Sequence, residues 1–438
     1  MNMQPIPTFV ISSQTGAEKE NVLKTFSHKD EFELNFTEPI VDKSDTNEFW
    51  QIVQQIVQVA VDRDYDYFLL CKDDHLFTNN YSKEDLFDCI SQAKQIGSDI
   101  LCGDARWFSS AIRVSKKIFW VESFPDSSFT IIFSSLFSGI LAEGDKIFSV
   151  TNRMFFIYPF MSYPSGFEQE DSRSENFQTN IKDTGFEVSQ KVELLDYVSK
   201  FYEDLSNENE GQLSIEDFDN IAIPTYIINL PERTERLEHI QKQFAGRQEF
   251  DIKIIEACRN RIGAVGLWET IRMIIEMAID NEDDVIIICE DDHEFTNDYS
   301  KSYLLKNIME AYLQQAEMLL GGICGFKRAL PISDNRVWVN YSHCLQFTIL
   351  YKPVFQKILD EPYNNKVIPD ILLSDLVINK MVLYPFISIQ RYFGYSDVSK
   401  LNHEDKEMVA TNFAWANDKL KKIYGAKAAF INKLQDHL

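Results

Sequence analysis

The chain has 438 residues, with 43 Lys and Arg against 68 Asp and Glu for a net charge of −25, and it is long enough for two domains of roughly 200 residues with separate cores. An acidic excess of that size repels phosphate backbones and anionic headgroups, which argues against nucleic acid as a partner. No stretch approaches the roughly 20 apolar residues of a membrane span, and the opening MNMQPIPTFVISSQTG lacks a basic region followed by an apolar one, so the expectation is an unexported, cytoplasmic protein. Seven cysteines (Cys71, Cys89, Cys102, Cys258, Cys289, Cys324 and Cys344) form no CxxC pair and no framework spacing, and are expected to be reduced thiols.

In chain order, the strand-like TFVISS is followed by a polar helical stretch ending near Phe26, a short strand FELNF, and a helix carrying Trp50, Val53, Ile56, Val57 and Ala60 on one face. The apolar run FLLCKDDHLF (68–77) then ends in Asp73, Asp74 and His75, and TNNYSK, TIIFSSLFSGIL and YPF (158–160) follow. After the acidic stretch SNENEGQLSIEDFDN (206–220) the same order begins again. TYIINL, a stretch ending near Phe244, FDIKII and a helix with Trp268, Ile271, Ile275 and Ala278 lead to IIICEDDHEF (286–295), then TNDYSK, TILYKPVFQKIL and YPF (384–386). From the first tryptophan to the TII/TIL strand the offset stays at 218 residues, as expected of a tandem duplication with domains 1–217 and 218–438. Strands alternating with helices predict, in each half, a doubly wound α/β domain with a mostly parallel sheet. Its ligand belongs beyond the carboxyl ends of the strands, where Asp73, Asp74 and His75, and Asp291, Asp292 and His293, should lie.

Adjacent carboxylates at a strand end repel each other and call for a positive charge. A divalent cation would supply one, and an Asp-x-His pair offers an oxygen and an imidazole nitrogen, a set suited to Mn²⁺. A plain strand-to-loop turn would also use these residues. The equivalent Cys71 and Cys289 are read as packed residues.

Four stretches of the second half carry a family resemblance: YIINLPERTERL (226–237), RIGAVGLWETI (261–271), IIICEDDHEF (286–295) and YPFISIQRYFGYSDVS (384–399). Together they resemble the bacterial lipopolysaccharide-type glycosyltransferases that also include the collagen galactosyltransferases, which have the nucleotide-sugar-binding GT-A fold. The resemblance implies two tandem GT-A-like domains, a Mn²⁺ (or Mg²⁺) ion, a UDP-linked sugar donor and a hydroxyl-bearing acceptor such as a glycan, glycolipid or peptide. It places Glu290 at the motif's first acidic position and gives Asp292, with Asp291 or His293, the metal. Arg233 and Arg236 would face the nucleotide, or else form a solvated helix face. Where the family has a serine–histidine pair this chain has Thr270-Ile271, and the first half has SSQTGAEKE in place of the arginines. A base must take the acceptor proton, and Asp370, Asp375 and Asp397 are the candidates, each also a plausible helix cap. His343 and His403 are further candidates for a metal shell. The first half would hold a second metal site at Asp73, Asp74 and His75, making the chain bifunctional. The alternatives are a metal-dependent nucleotidyl or phosphoryl transferase, or one half serving as a degenerate sugar-binding module.

Overall fold

The computed structural model describes residues 4–11, 16–37, 46–108, 110–123, 126–143, 151–165, 185–208, 221–394 and 407–435. The chain divides into two compact units, Met1–Val198 with Gly425–Leu438, and Ser199–Tyr424. The junction expected near residue 218 lies outside the described residues.

The first unit is built on β1 (Ile6–Ile11), β2 (Phe32–Phe36), β3 (Tyr67–Lys72), β5 (Ile100–Cys102), β6 (Ala111–Arg113), β7 (Ile118–Val121), β8 (Phe129–Phe133) and β9 (Met154–Ile157). These form one sheet in the order β2-β1-β3-β8-β5-β9-β7-β6, and β4 (His75–Phe77) pairs separately with β10 (Ser162–Pro164). In the second unit β11 (Ile223–Asn229), β12 (Phe250–Glu256), β13 (Val285–Glu290), β15 (Met318–Leu320), β16 (Ala329–Pro331), β17 (Arg336–Val339), β18 (Phe347–Tyr351) and β19 (Lys380–Leu383) adopt the order β12-β11-β13-β18-β15-β19-β17-β16. Here β14 (His293–Phe295) pairs with β20 (Ser388–Gln390). The two orders agree strand for strand. Only β8 and β7, and likewise β18 and β17, run against the rest, so each unit is a mixed, mostly parallel α/β sheet flanked by helices.

The helices bury the stripes that their periodicity predicts. Val53, Ile56, Val57 and Ala60 are buried in Thr46–Asp62, as are Trp268, Ile271, Ile275 and Ala278 in Gly263–Asp280; Trp50 is only half-buried. The repeated Tyr-Ser-Lys is a helix start. Ser82 and Ser300 accept from the N–H groups of Asp85 and Tyr303 at the heads of Lys83–Ile96 and Lys301–Leu313, which satisfies a donor that the first turn leaves open. Tyr81 and Tyr299 donate to Glu31 and Glu249. Among the described residues no helix is long and apolar enough to cross a membrane.

Candidate functional site

Both acidic triplets follow the carboxyl ends of equivalent central strands, β3 and β13. In the second unit, the positive charge that the carboxylates call for comes from the helix Thr234–Phe244. Arg236, buried at 4% exposure, donates from Nη1 to Asp291 Oδ1 at 2.8 Å and to Asp292 Oδ2 at 3.1 Å. Asn229 Nδ2 and Arg233 Nη1 reach Asp291 Oδ2 at 3.0 and 3.5 Å, and Gln390 Nε2 reaches Asp292 Oδ2 at 2.9 Å. Asp292 Oδ1 has no protein partner. Burial pushes the Asp292 carboxyl up to about 6 against the pull of Arg236, and burial with the charges of Asp292, Asp370 and Asp291 raises Glu290 well above the carboxylate range. Partial opposition from an arginine does not cancel the cost of desolvating several carboxylates together.

The histidines require a correction. His293 is fully buried, its ring packed on Phe244, Phe295 and Phe347 with centroids 5.8, 4.3 and 4.9 Å away, and Nδ1 pairs with Ser388 Oγ at 2.8 Å. His75 sits in the matching box of Phe26, Phe77 and Phe129, and neither ring nitrogen has a hydrogen-bond partner. Burial holds both imidazoles neutral, lowering His75 to about 3 and His293 well below its ordinary value. These rings are core residues rather than ligands that face an ion. Among the described residues no three His, Cys, Asp or Glu side chains are grouped to hold a metal. His75 and His293 are therefore removed from the expected ligand sets, which leaves the carboxylates of Asp73, Asp74, Asp291 and Asp292, with Asp74 Oδ1 and Asp292 Oδ1 unpartnered; no chemistry below is routed through a metal.

A cleft of about 430 Å³ lies beside Glu290 and Asp291, at the carboxyl ends of β11, β12 and β13. Arg233, Arg259 and Arg261 line it, with Asn229, Glu232 and Cys258. It also meets Gly263, the first residue of Gly263–Asp280, whose N-cap residue Ile262 provides no side-chain cap, so part of the helix's positive end faces the cleft. A Cβ on Gly266 would lie 2.4 Å from the Cys258 carbonyl. Glycine there lets the helix and the 258–261 loop approach closely. Arg259 and Arg261 are additions to the residues singled out in the sequence, as are Asn229 and Gln390; only position beside a strand end identifies them.

On the other side of β13, Glu290 N–H donates to Gln346 O at 3.1 Å. Two residues earlier, the Cys344 N–H donates to Asp370 Oδ2 at 2.9 Å, and His343 Nδ1 lies 4.0 Å from the same oxygen. Asp370 is thus held by the segment leading into β18, and its charge acts on Glu290. Asp375 is exposed on the same helix, Pro369–Leu376, and its charge acts on Tyr341 and Lys380. Asp397 and His403 lie outside the described residues. Cys324 and Cys344 form a disulfide, which corrects the expectation of seven free thiols. Cys71, Cys89, Cys102, Cys258 and Cys289 are free, and the thiols of Cys71 and Cys289 are fully buried, as packing residues are.

The first unit differs at the equivalent strand end. Lys72 occupies the place of Glu290 and pairs with Asp126 at 2.8 Å. Arg106, from the loop after β5, bridges Asp74 at 3.2 Å and Asp126 at 3.6 Å. Asp73 is half-buried in the turn.

No protein-family model and no curated protein sequence matches the chain. Solved structures with some similarity include A197 from STIV, with a TM-score of 0.23 and 14% identity over 37% of this chain and 85% of that one. Apo UDP-glucose pyrophosphorylase gives a TM-score of 0.26 and 10% identity over 50% of this chain and 87% of that one. Likenesses this slight carry no weight for what the chain does.

Proposed function

We propose that the second unit transfers a sugar from a nucleotide-sugar donor to a hydroxyl acceptor. The supporting observation is the cleft at the ends of β11, β12 and β13, which Arg233, Arg259 and Arg261 line together with Glu290; Arg233 also reaches Asp291 and Arg259 pairs with Glu232. Three guanidinium groups and a helix start suit a diphosphate, which fork-like donors bind well. In the reaction the anomeric carbon leaves the β-phosphate oxygen and bonds to the acceptor oxygen. The diphosphate departs with the electron pair, and the hydroxyl proton passes to a carboxylate. The arginines would stabilise the charge growing on the diphosphate. Asp370, whose charge helps raise the Glu290 carboxyl, would take the proton. The matching strand orders support reading the chain as a duplication, and the transfer is assigned to the second unit because Lys72, paired with Asp126, stands in the first where the second has Glu290.

Calorimetric titration with UDP, GDP and their sugar conjugates tests this. Binding by at least one nucleoside diphosphate is expected, weakened about tenfold by Arg261→Gln, as for loss of one charge-assisted contact. No binding by any of them, or binding indifferent to Arg261→Gln, overturns the reading.

A further inference from the structure

One position in this fold is cross-linked in both units by different chemistry. In the second unit the disulfide joins Cys324, after β15, to Cys344, before β18. In the first, the residues 218 positions earlier are Arg106 and Asp126, and they form an ion pair at 3.6 Å. The second partner has a left-handed backbone in each case, φ 80° at Cys344 and 48° at Asp126, a conformation uncommon outside glycine that persists only where its surroundings hold it. The strand end meets the tethered loop in the same way in both units, Glu290 N–H donating to Gln346 O at 3.1 Å and Lys72 N–H to Ser128 O at 3.0 Å.

In the second unit that loop also holds the proposed proton acceptor, Asp370 of the helix Pro369–Leu376, through the Cys344 N–H. Cys324 N–H donates to His343 O at 3.2 Å and His343 N–H to Gly325 O at 3.1 Å, so the tether and these two bonds lock residues 343 and 344 against residues 324 and 325. The locked Cys344 N–H then orients Asp370. Resting on the transferase reading above, we infer that the Cys324–Cys344 disulfide positions Asp370 for proton transfer, and that the fold requires a link at this place rather than a disulfide as such. A dithiol reductant converts the bridge to two thiols, is itself oxidised to a disulfide, and leaves the Cys344 N–H free to move away from Asp370.

The test uses the full chain and whichever sugar nucleotide it hydrolyses with water as acceptor. In Cys324→Ser/Cys344→Ser, kcat is expected to fall at least tenfold while the dissociation constant for the nucleoside diphosphate changes less than threefold, and reductant has no further effect. Cys324→Arg/Cys344→Asp, which copies the first unit, is expected to restore most of kcat and to keep it in reductant. A serine pair with wild-type kcat overturns the inference, as does an Arg–Asp variant that folds yet recovers nothing. Should no sugar nucleotide be turned over, the transferase reading fails, and amide exchange still decides the tether: Cys344 N–H is expected to exchange at least tenfold faster in reductant, and an unchanged rate overturns it.

Discussion

At the scale of single residues, the histidine of each acidic triplet has the sharpest consequence. His75 is buried with both nitrogens unbonded, and burial, with some help from Lys29, lowers it from 6.5 to about 3. The folded state therefore refuses a proton that the unfolded chain accepts. Stability is unaffected above pH 6.5 and falls as pH drops from there toward 3, by about 2 kcal/mol at pH 5. His75→Phe places a fourth phenyl in an aromatic box and should be at least as stable as wild type at pH 7, since no hydrogen bond is lost. It should also lack the histidine's share of the acid loss, so urea unfolding at pH 7 and pH 5 ought to give a smaller difference than in wild type. An equal difference would show that His75 is not a buried neutral base. The sequence made these rings look like ligands because it displays adjacency, not direction. It displayed the need for a counter-charge correctly, but the supplier is Arg236, expected to face the nucleotide or solvent and found instead buried against Asp291 and Asp292, 55 residues upstream of Asp291 with no local pattern to link them.

Among the elements, the long helices, the central strands and the Tyr-Ser-Lys caps were legible because each has a period or a cap residue to mark it. The three-residue strands β5, β6, β15 and β16 are too short to show a period, and the antiparallel insertion of β8 and β18 into the sheet depends on pairing partners far apart in the chain. The disulfide left no spacing signal. Even with the halves aligned, Arg106 and Asp126 stand opposite Cys324 and Cys344 without sign of a link, and only the ion pair and the bridge in the structure show that both positions are joined. A glycine marks the element that matters most for the cleft. In Gly266→Ala the new methyl would sit on the Cys258 carbonyl, so the 258–261 loop must shift and carry Arg259 and Arg261 with it. Nucleoside diphosphate binding should weaken by tenfold or more. Ser300→Ala, by contrast, should cost about 1 kcal/mol of stability as a lost helix cap while binding stays unchanged. Equal binding losses in the two variants would sever the loop from the cleft.

For the whole molecule, two sheets with separate cores imply two unfolding transitions. Arg236→Gln strips a buried counter-charge from Asp291 and Asp292 and should cost about 3–5 kcal/mol, all of it in the second unit. Scanning calorimetry should therefore lower one transition and leave the other in place. A uniform shift of a single transition would mean that the units unfold as one.

The unlike tethers also make the units answer to different solutes. Arg106 and Asp126 are 26% and 46% exposed, and at 1 M ionic strength the Debye length shrinks to about 3 Å, so their attraction is largely screened. Sodium chloride should loosen the loop of the first unit, seen as faster amide exchange at residues 126–128. The corresponding loop of the second unit, closed by a covalent bond that salt does not touch, should keep its rate.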